Sequence, residues 1–379
     1  MRICKRLLDI DLQAGRSAFL WGPRKVGKTH WLRHHAAAPA ANFIDLLETD
    51  TFADYVSRPA LLRERWRPGL TIIDEVQKVP ALLDEVHWLI ERKKATFLLT
   101  GSSARKLRRG HANLLGGRAW RFEMGPLSAH EVEDFDLDAA LASGLLPPHL
   151  LSPEPARDLR AYVADYLREE IAAEAVVRNV PAFTEFLRTA ALTSSELLNY
   201  ENVARETGIS AKVVRGYFEI LEDTLLGERL PPWRRAATRR MVQTEKFFLF
   251  DVGVASHLAR RSVEPGSAGY GKAFEHWVLM ELQSYRRYRS PDLPLAFWRT
   301  SSGLEVDFIV GDMDLAIEAK SGRRVHAGDL RGLAALRSSH AVRKAVVVCG
   351  EPEARIVDGV EILPWRMFVD RLWAGDLVA

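Results

Sequence analysis

Residues 22–29, Gly-Pro-Arg-Lys-Val-Gly-Lys-Thr, have the spacing G-x-x-x-x-G-K-[ST] of a loop that binds nucleotide phosphates. An apolar run precedes the loop and a segment that can be helical follows it. The glycines let successive N–H groups face a phosphate, Lys28 reaches its outer oxygens and the Thr29 hydroxyl is a ligand for Mg²⁺. A chance match is the alternative. We predict that ATP and Mg²⁺ bind to this loop and to the residue that follows it. These residues are Gly22, Pro23, Arg24, Lys25, Val26, Gly27, Lys28, Thr29 and His30.

Two carboxylates follow a second apolar run, at Leu70-Thr-Ile-Ile-Asp74-Glu75, about 45 residues after the loop. At the end of a strand, Asp74 can bind in the ligand shell of a Mg²⁺ ion, and Glu75 can polarise the attacking water. An Asp-Glu pair of this kind also occurs at ordinary helix starts. The spacing favours the catalytic role, with Asp74 as a metal ligand and Glu75 as the base.

A third apolar run, Thr96–Thr100, ends in polar residues. In a parallel sheet such ends line the ligand crevice, so Ser102, or alternatively Thr100 or Ser103, is a candidate sensor of the terminal phosphate. A turn-forming role is the alternative. Strands alternate with helical segments up to about residue 124, which predicts a doubly wound parallel α/β sheet.

A second group of charged residues lies far along the chain. Glu275 opens a predicted helix, Asp307 lies on a predicted strand, and Glu318 and Lys320 alternate on the next strand. Two carboxylates and a backbone carbonyl can hold Mg²⁺, and a lysine beside them can orient a water for attack on a phosphodiester. Asp307 and Glu318 are then the metal ligands, and Glu275 a further ligand or orienting group. The alternatives are an exposed ion pair for Glu318 and Lys320 and a strand-end cap for Asp307.

Between these two groups, residues 199–222 read as a helix, a glycine turn and a second helix with Ser210 at its start. The following segment, Leu225–Trp233, supplies a wing, which predicts a winged helix. Phosphate contacts explain a basic cluster here, although winged helices also serve protein packing alone. The candidate DNA-binding residues are Lys212, Arg215, Arg234, Arg235, Arg239 and Arg240.

The bulk composition limits the remaining choices. The chain has 379 residues, a formal net charge of +3, 47% apolar residues and two cysteines without metal-ligand spacing. This length favours several domains, and the near-balanced charge does not itself indicate a nucleic-acid partner. The two lone cysteines indicate reduced thiols. With no apolar leader and no run that could span a bilayer, we expect a soluble cytoplasmic protein with no membrane partner.

The first domain resembles the AAA+ class of P-loop ATPases. The resemblance rests on the phosphate loop, on Ile72-Ile-Asp-Glu75, on the polar strand end at 100–103 and on an arginine before the last strand. In that class an arginine at this position often completes the site of a neighbouring subunit. The resemblance implies this role for Arg118, and Arg105 is the second candidate. The alternative is that Arg118 is an ordinary surface arginine. It also implies a homo-oligomer, most simply a ring.

The last domain resembles the restriction-endonuclease-like PD-(D/E)xK fold, through Glu275, Asp307 and Glu318-x-Lys320. Over its whole length the chain is similar to prokaryotic ATP-binding proteins that join an AAA+ ATPase to a C-terminal domain of unknown function. The expected domains are an ATPase core at 1–127, a helical lid at 128–190, a winged helix at 191–235 and a nuclease-like α/β domain at 236–379.

Three functions are compatible with this organisation. The first is an ATPase ring that acts on duplex or branched DNA, such as recombination or repair intermediates, with a last domain that binds or cuts DNA. The second is an ATP-dependent switch that recruits a protein partner through the winged helix. The third is a metal-dependent nuclease gated by ATP. The PD-(D/E)xK fold also occurs in domains that do not cut, so nuclease activity stays open.

Overall fold

A computed structural model describes residues 4–12, 15–34, 40–102, 115–166, 179–234 and 244–378. The chain forms two compact units. One contains Arg6–Gly125 and Ile220–Leu226, and the other contains Met1–Lys5, Pro126–Glu219 and Gly227–Ala379. Among the described residues, no helix combines the length and the apolar character that crossing a membrane requires.

The first unit is built on a parallel five-stranded sheet. Its order is β2-β3-β4-β1-β5, so β1 lies between β4 and β5. Apolar runs that are buried on both faces are typical of parallel strands, and β1, β3 and β4 have this pattern. The strands are β1 Ser17–Trp21, β2 Asn42–Asp45, β3 Leu70–Asp74, β4 Thr96–Gly101 and β5 Ala119–Glu123.

Helices of this unit lie on either side of these strands in the described parts of residues 6–125. They are α1 Lys28–His34, α2 Thr49–Ser57, α3 Leu61–Arg65 and α4 Leu82–Lys93. Leu82, Val86 and Leu89 lie on one face of α4 at helical spacing and are fully buried in the core cluster that also contains Phe97 of β4. The sheet alternates with helices as the sequence predicted.

The spacing of apolar residues over Arg2–Gln13 predicts a helix, but the structure of the N-terminal segment differs from it. Its described residues 4–11 form neither helix nor strand. Leu8, Ile10 and Leu12 are buried, whereas Asp9 and Asp11 between them are exposed. This alternation has the period of an extended chain, so the prediction of a helix was wrong.

The second unit begins with short helices. These are α5 Leu137–Ser143, α6 Pro147–Leu150, α7 Pro155–Ala161, a π-helical turn at Tyr162–Tyr166 and α8 Val180–Leu192. Apolar residues at helical spacing over 159–175 predict a helix, and residues 159–166 are helical in the structure. The helix starts earlier than this pattern, at Pro155, a residue that fits the first turn of a helix because its missing N–H has no partner to lose. Residues 167–175 of that prediction lie outside the described part of the chain.

A helix-turn-helix follows, with α9 Tyr200–Thr207 and α10 Ala211–Asp223. Gly208 ends α9 with a φ of 68°, and Ser210 Oγ accepts the N–H of Val213 at 3.4 Å. The strands β6 Gly227–Leu230 and β7 Lys246–Leu249 form an antiparallel hairpin after it. The predicted boundary at residue 236 assigns residues 246–249 to the last domain, whereas their strand pairs with β6.

The remainder of this unit contains a mixed six-stranded sheet in the order β12-β13-β11-β10-β9-β8. Its strands are β8 Leu295–Arg299, β9 Glu305–Val310, β10 Leu315–Lys320, β11 Lys344–Cys349, β12 Arg355–Val357 and β13 Val360–Pro364. The helices are α11 Val252–Leu258, α12 Ala268–Arg289, α13 Arg331–Ser339 and α14 Trp365–Trp373. Trp233, predicted to end the wing, packs in the core of this sheet and donates its N–H to Phe297 O at 2.6 Å.

Candidate functional site

The predicted phosphate loop connects β1 to α1. Lys28 is 5% exposed, and its Nζ donates to Gly22 O at 2.6 Å and to Pro23 O at 3.1 Å. Lys25 and Gly27 have positive φ values of 64° and 98°, which curl the backbone around the lysine ammonium. The ammonium is therefore held within the loop.

The other predicted loop residues flank this curl. Val26 is buried and anchors the loop, while Arg24 and His30 are exposed. A Cβ at Gly22 would clash with the carbonyl oxygen of Met124, so this position accommodates only glycine without a shift of the backbone.

Three polar side chains meet where the first turn of α1 lies beside the carboxyl ends of β3 and β4. Thr29 Oγ1 donates to Asp74 Oδ2 at 2.7 Å, and Thr100 Oγ1 donates to Asp74 Oδ1. Asp74 is fully buried, and both of its oxygens are hydrogen-bonded. The arrangement fixes one carboxylate and one hydroxyl beside the phosphate loop, which is the oxygen-rich chemistry that Mg²⁺ requires.

Glu75 lies next to this group in a left-handed backbone conformation, with φ 59° and ψ 42°. Such a conformation costs of order 1 kcal/mol or more for a residue other than glycine, and it occurs often at functional sites. Gln77 Nε2 donates to Glu75 Oε2 and also, at 3.1 Å, to Ser102 Oγ. The amide of Gln77 therefore joins the predicted base to the predicted phosphate sensor.

Gln77 is a site residue that the sequence analysis missed. It is 5% exposed and lies in a 3₁₀ turn, Val76–Lys78, directly after the carboxylate pair. A Cβ at Gly101 would clash with the Gln77 amide, so the glycine leaves the space that this side chain fills. The signal available in the sequence was an amide two residues after Glu75 and a glycine before Ser102.

Arg118 precedes β5 and is bound within its own chain. Its Nε donates to Glu91 Oε1 on α4, and its Nη1 lies 3.4 Å from Leu115 O. The side chain remains 39% exposed. The predicted role in a neighbouring subunit stays a prediction, and the alternative Arg105 lies outside the described residues, as does Ser103.

The second predicted group comes together in the mixed sheet. Glu318 Oε1 accepts Lys320 Nζ at 2.6 Å, and Asp307 Oδ2 accepts the N–H of Ala319 at 2.8 Å. The antiparallel register of β9 and β10, which pairs Phe308 with Ile317, places Asp307 opposite Glu318 when extended by one residue. We call the set Glu275, Glu305, Asp307 and Glu318 the carboxylate cluster.

Two members of this environment were not predicted. Lys246 of β7 is 3% exposed, and its Nζ lies 3.1 Å from Glu275 Oε1 and 2.5 Å from Glu305 Oε1. Glu305 is also paired with Arg299, at 2.7 Å. Glu275 of the helix α12 is thus ion-paired with a lysine from the strand β7.

A β-bulge lies beside Asp307. The pairing of β8 with β9 shifts by one residue between Ala296 and Trp298, so that Asp307 and Phe308 both stand opposite Phe297. Bulges of this kind redirect a side chain, and they are common next to functional sites. The sequence pattern of simple alternation did not reveal this shift.

The acids of the cluster are strongly perturbed. Burial raises the pKa of Glu318 to about 8, and the neighbouring Asp307 carboxylate adds to the shift. Burial likewise raises the pKa of Glu275 to about 7 and raises the pKa of Asp307. Burial lowers the pKa of Lys246, but the carboxylates around it outweigh this effect and the pKa is raised. Burial therefore favours the neutral forms of these acids.

One atom of the cluster has no partner. Glu318 is 7% exposed, and its Oε2 is buried without a hydrogen bond. A buried carboxylate oxygen without a partner is costly, and a cation that binds there would compensate for it. Among the described residues no group of three or more His, Cys, Asp or Glu side chains is arranged to hold a metal ion. Asp307 and Glu318 supply two buried carboxylates, and their role as metal ligands stays a prediction.

The predicted DNA-binding residues are only partly described. Lys212 and Arg215 are exposed on α10, and Arg215 lies over the ring of Tyr200 at 4.8 Å. Arg234 is exposed at the end of the segment that follows β6. Arg235, Arg239 and Arg240 lie outside the described residues.

Three family models match consecutive parts of the chain. Residues 15–133 match a family described as an AAA domain. Residues 134–264 and 270–368 match two domains of unknown function, DUF8612 and DUF4143. The segment with the phosphate loop, Asp74 and Glu75 thus lies within the AAA match, and the carboxylate cluster lies within the DUF4143 match.

Two curated relatives are similar over most of the chain. They are uncharacterized proteins of Mycobacterium tuberculosis and Mycobacterium bovis, each 28% identical over 305 residues, 77% of this chain and 66% of the relative. The match thus spans slightly less than two thirds of the relatives' length.

Solved structures show weaker likenesses. A RuvB structure of Thermotoga maritima has a TM-score of 0.30 and 18% identity, over 58% of this chain and 86% of that chain. The ADP form of the Aeropyrum pernix ORC2 protein has a TM-score of 0.30 and 14% identity, over 65% and 88%. We draw no conclusion from scores this low. The family matches support an AAA-type P-loop ATP-binding domain at residues 15–133, followed by two domains of unknown function.

Proposed function

We propose that this protein hydrolyses ATP with Mg²⁺ as an oligomer and uses the reaction to act on DNA. The proposal of ATP hydrolysis rests on one observation. Thr29 and Thr100 are hydrogen-bonded to Asp74 beside the phosphate loop, and the N–H of Glu75 donates to Thr100. This is the set of groups that phosphoryl transfer to water requires, because that reaction depends on positioning and on charge stabilisation.

Each residue has a distinct role in this proposal. Lys28 neutralises the outer phosphate oxygens, and Thr29 with Asp74 holds the Mg²⁺ ion, which supplies charge stabilisation when bound. Glu75 accepts a proton from the attacking water. Ser102 contacts the terminal phosphate, and Gln77 couples that contact to Glu75 through its amide.

The oligomeric part of the proposal rests on Arg118. It precedes the edge strand β5, is 39% exposed and is bound by a surface glutamate. Surface ion pairs are weak because solvent screens them, so a neighbouring subunit's phosphates can displace Glu91 readily. Arg118 then supplies the positive charge that completes the neighbour's site, and a closed ring repeats this arrangement around its axis.

The DNA part rests on the helix-turn-helix. Lys212 and Arg215 are exposed on its second helix, and Arg234 follows β6 of the adjoining hairpin. An exposed basic helix can contact phosphates electrostatically. Duplex or branched DNA, including repair and recombination intermediates, is the proposed partner.

A metal-dependent nuclease gated by ATP is the second candidate. The observation that favours it is the unpartnered Oε2 of Glu318 beside Asp307. Asp307 and Glu318 would hold Mg²⁺, Lys320 would orient the water, and Glu275 would assist from α12. The residue types of this group match those of a PD-(D/E)xK site.

ATPase measurements with single-stranded, duplex and four-way-junction DNA, combined with particle images of the same samples, test the proposal. We expect turnover to rise at least several-fold with one of these DNA structures and the particles to be rings. No stimulation by any of them contradicts the DNA function. DNA-independent turnover combined with retention of a protein partner by the helix-turn-helix favours the ATP-dependent switch instead.

A further inference from the structure

One edge of the five-stranded sheet in the first unit is basic and carries an exposed tryptophan. The edge strand is β5, on which Trp120 is 40% exposed and Arg121 is exposed. The guanidinium of Arg16, which precedes β1, lies over the Trp120 ring at 5.5 Å from its centroid. We call Arg16, Arg118, Trp120 and Arg121 the basic edge. Tryptophan and arginine are the side chains that most often anchor protein interfaces.

The opposite edge of the same sheet is acidic. It is formed by β2 and continues into α2, and its residues 45–56 include four acidic residues and no basic one. Glu48 and Asp50 are exposed, and the apolar side chains of Leu47 and Val56 are 56% and 50% exposed. We call residues 45–56 the acidic segment. Its charge and its exposed apolar side chains are complementary to those of the basic edge.

The acidic segment begins beside the proposed nucleotide site. In the parallel pairing of β2 with β3, Asp45 lies opposite Asp74, and the N–H of Leu46 donates to Asp74 O at 3.3 Å. Neighbouring strands are about 4.8 Å apart, so a molecule that docks on the start of this segment stands close to Asp74. Arg118 belongs to the basic edge, so docking of that edge brings it toward the site that it is proposed to complete.

We propose that the basic edge of one copy of this chain docks on the acidic segment of the next copy. The two surfaces lie on opposite edges of one sheet, so each copy offers a different surface to each of its two neighbours. A contact of this heterologous kind repeats from copy to copy and forms a ring when the rotation closes. The opposite charges select the partner surface, and Trp120 and Leu47 supply apolar contact area. The inference rests on the proposed oligomer and names its contact surfaces.

Sedimentation velocity of the full chain with Mg²⁺ and a non-hydrolysable ATP analogue tests this contact. One variant, Arg16→Glu/Arg121→Glu, reverses the charge of the basic edge and leaves Arg118 intact. A second variant, Glu48→Lys/Asp50→Lys, reverses the acidic segment. A third variant combines all four changes in one chain, so the two surfaces exchange their charges and remain complementary.

We expect each of the first two variants to assemble about tenfold or more weakly, because like charges then face each other, and the combined variant to assemble again. The control Arg92→Glu/Lys93→Glu reverses two exposed charges on α4 and should assemble as the wild type does. If a reversed chain does not fold, Arg121→Gln and Asp50→Asn replace the reversals. Each should weaken assembly, and their combination should weaken it by less than the sum of the two effects.

The results that contradict the inference differ from those that contradict the oligomer. Normal assembly of both reversed chains places the contact elsewhere and leaves the oligomer intact. If Arg16→Glu/Arg121→Glu assembles normally but binds DNA more weakly, the basic edge serves nucleic acid instead. Loss of assembly in both reversed chains without recovery in the combined variant shows that the two surfaces do not meet. A wild-type chain that stays monomeric refutes the proposed oligomer itself.

Discussion

Thr29 and Asp74 are joined by a 2.7 Å hydrogen bond between the hydroxyl of the phosphate loop and a fully buried carboxylate 45 residues later. The bond joins the first turn of α1 to the end of β3, and Thr100 of the adjacent β4 binds the other carboxylate oxygen. The phosphate loop and two neighbouring strand ends thus place their polar groups around one point. This geometry leads to separable predictions about binding and hydrolysis.

Lys28→Ala and Glu75→Gln should separate these two steps. Lys28→Ala removes the ammonium that faces the phosphates, so we expect ATP affinity to fall about 100-fold or more. Glu75→Gln keeps the shape of the side chain but removes the base, so ATP binds normally and kcat falls about 100-fold or more. Equilibrium binding of a fluorescent ATP analogue and steady-state hydrolysis measure both effects. Lys93→Ala, at an exposed position on α4, is the control.

Gln77→Leu should impair hydrolysis without impairing binding. The amide holds Glu75 and Ser102 together, and leucine fills the same space without donating a hydrogen bond. We expect kcat to fall about tenfold or more, while the KM for ATP changes little. If ATP affinity and thermal stability fall together with kcat, Gln77 acts only in packing.

The sequence predicted much of the first unit because its signals are local. Apolar runs locate β1, β3 and β4, and the loop motif locates Lys28 and Thr29. The alternation of Leu8, Ile10 and Leu12 was also present, but it was interpreted as helical spacing.

Gln77 and Lys246 could not be located from spacing alone. Gln77 acquires its role only because β4 brings Ser102 beside it. Lys246 meets Glu275 and Glu305 across 29 and 59 residues of sequence, through a hairpin that docks beside a different sheet. Such contacts depend on tertiary packing, and no local pattern encodes them.

A mixture of two inactive variants tests whether subunits share a site. Arg118→Ala should bind ATP and lose at least about tenfold in kcat, since it lacks the charge offered to its neighbour. Mixed with Glu75→Gln, it should regain activity, because some interfaces then combine an intact Glu75 with an intact Arg118. If mixing restores nothing at concentrations where both variants assemble, Arg118 acts within its own chain or only in folding.

Loss of the basic residues should reduce the salt dependence of DNA binding. Each phosphate contact that is removed lowers the slope of log affinity against log salt by about 1. The variant Lys212→Ala/Arg215→Ala/Arg234→Ala should therefore have a slope smaller by about 2 to 3 in fluorescence-anisotropy titrations with duplex DNA. An unchanged slope would place the DNA contacts elsewhere. Arg188→Ala, on the exposed face of α8, is the control.

The buried Glu281 of α12 should make the second unit less stable as the pH rises. It is fully buried, and its Oε1 accepts the N–H of Ala129 at 2.7 Å. Burial raises its pKa from 4.5 to about 7, whereas the unfolded chain releases the proton near 4.5. Between these values the folded state binds the extra proton, so stability falls as the pH rises through this window and remains lower above pH 7.

Glu281→Gln removes this dependence because the amide oxygen still accepts the Ala129 N–H and no charge is buried. The difference in unfolding free energy between pH 5 and pH 8 should shrink by about 3 kcal/mol, the equivalent of two to three pKa units. Denaturant unfolding at both pH values measures this change, and Glu264→Gln, at an exposed position, is the control. Other buried acids, such as Glu318, retain their own dependence in both proteins, so only the difference between variant and wild type reports on Glu281. If the two proteins lose the same stability between pH 5 and pH 8, Glu281 does not bind the proton that its environment implies.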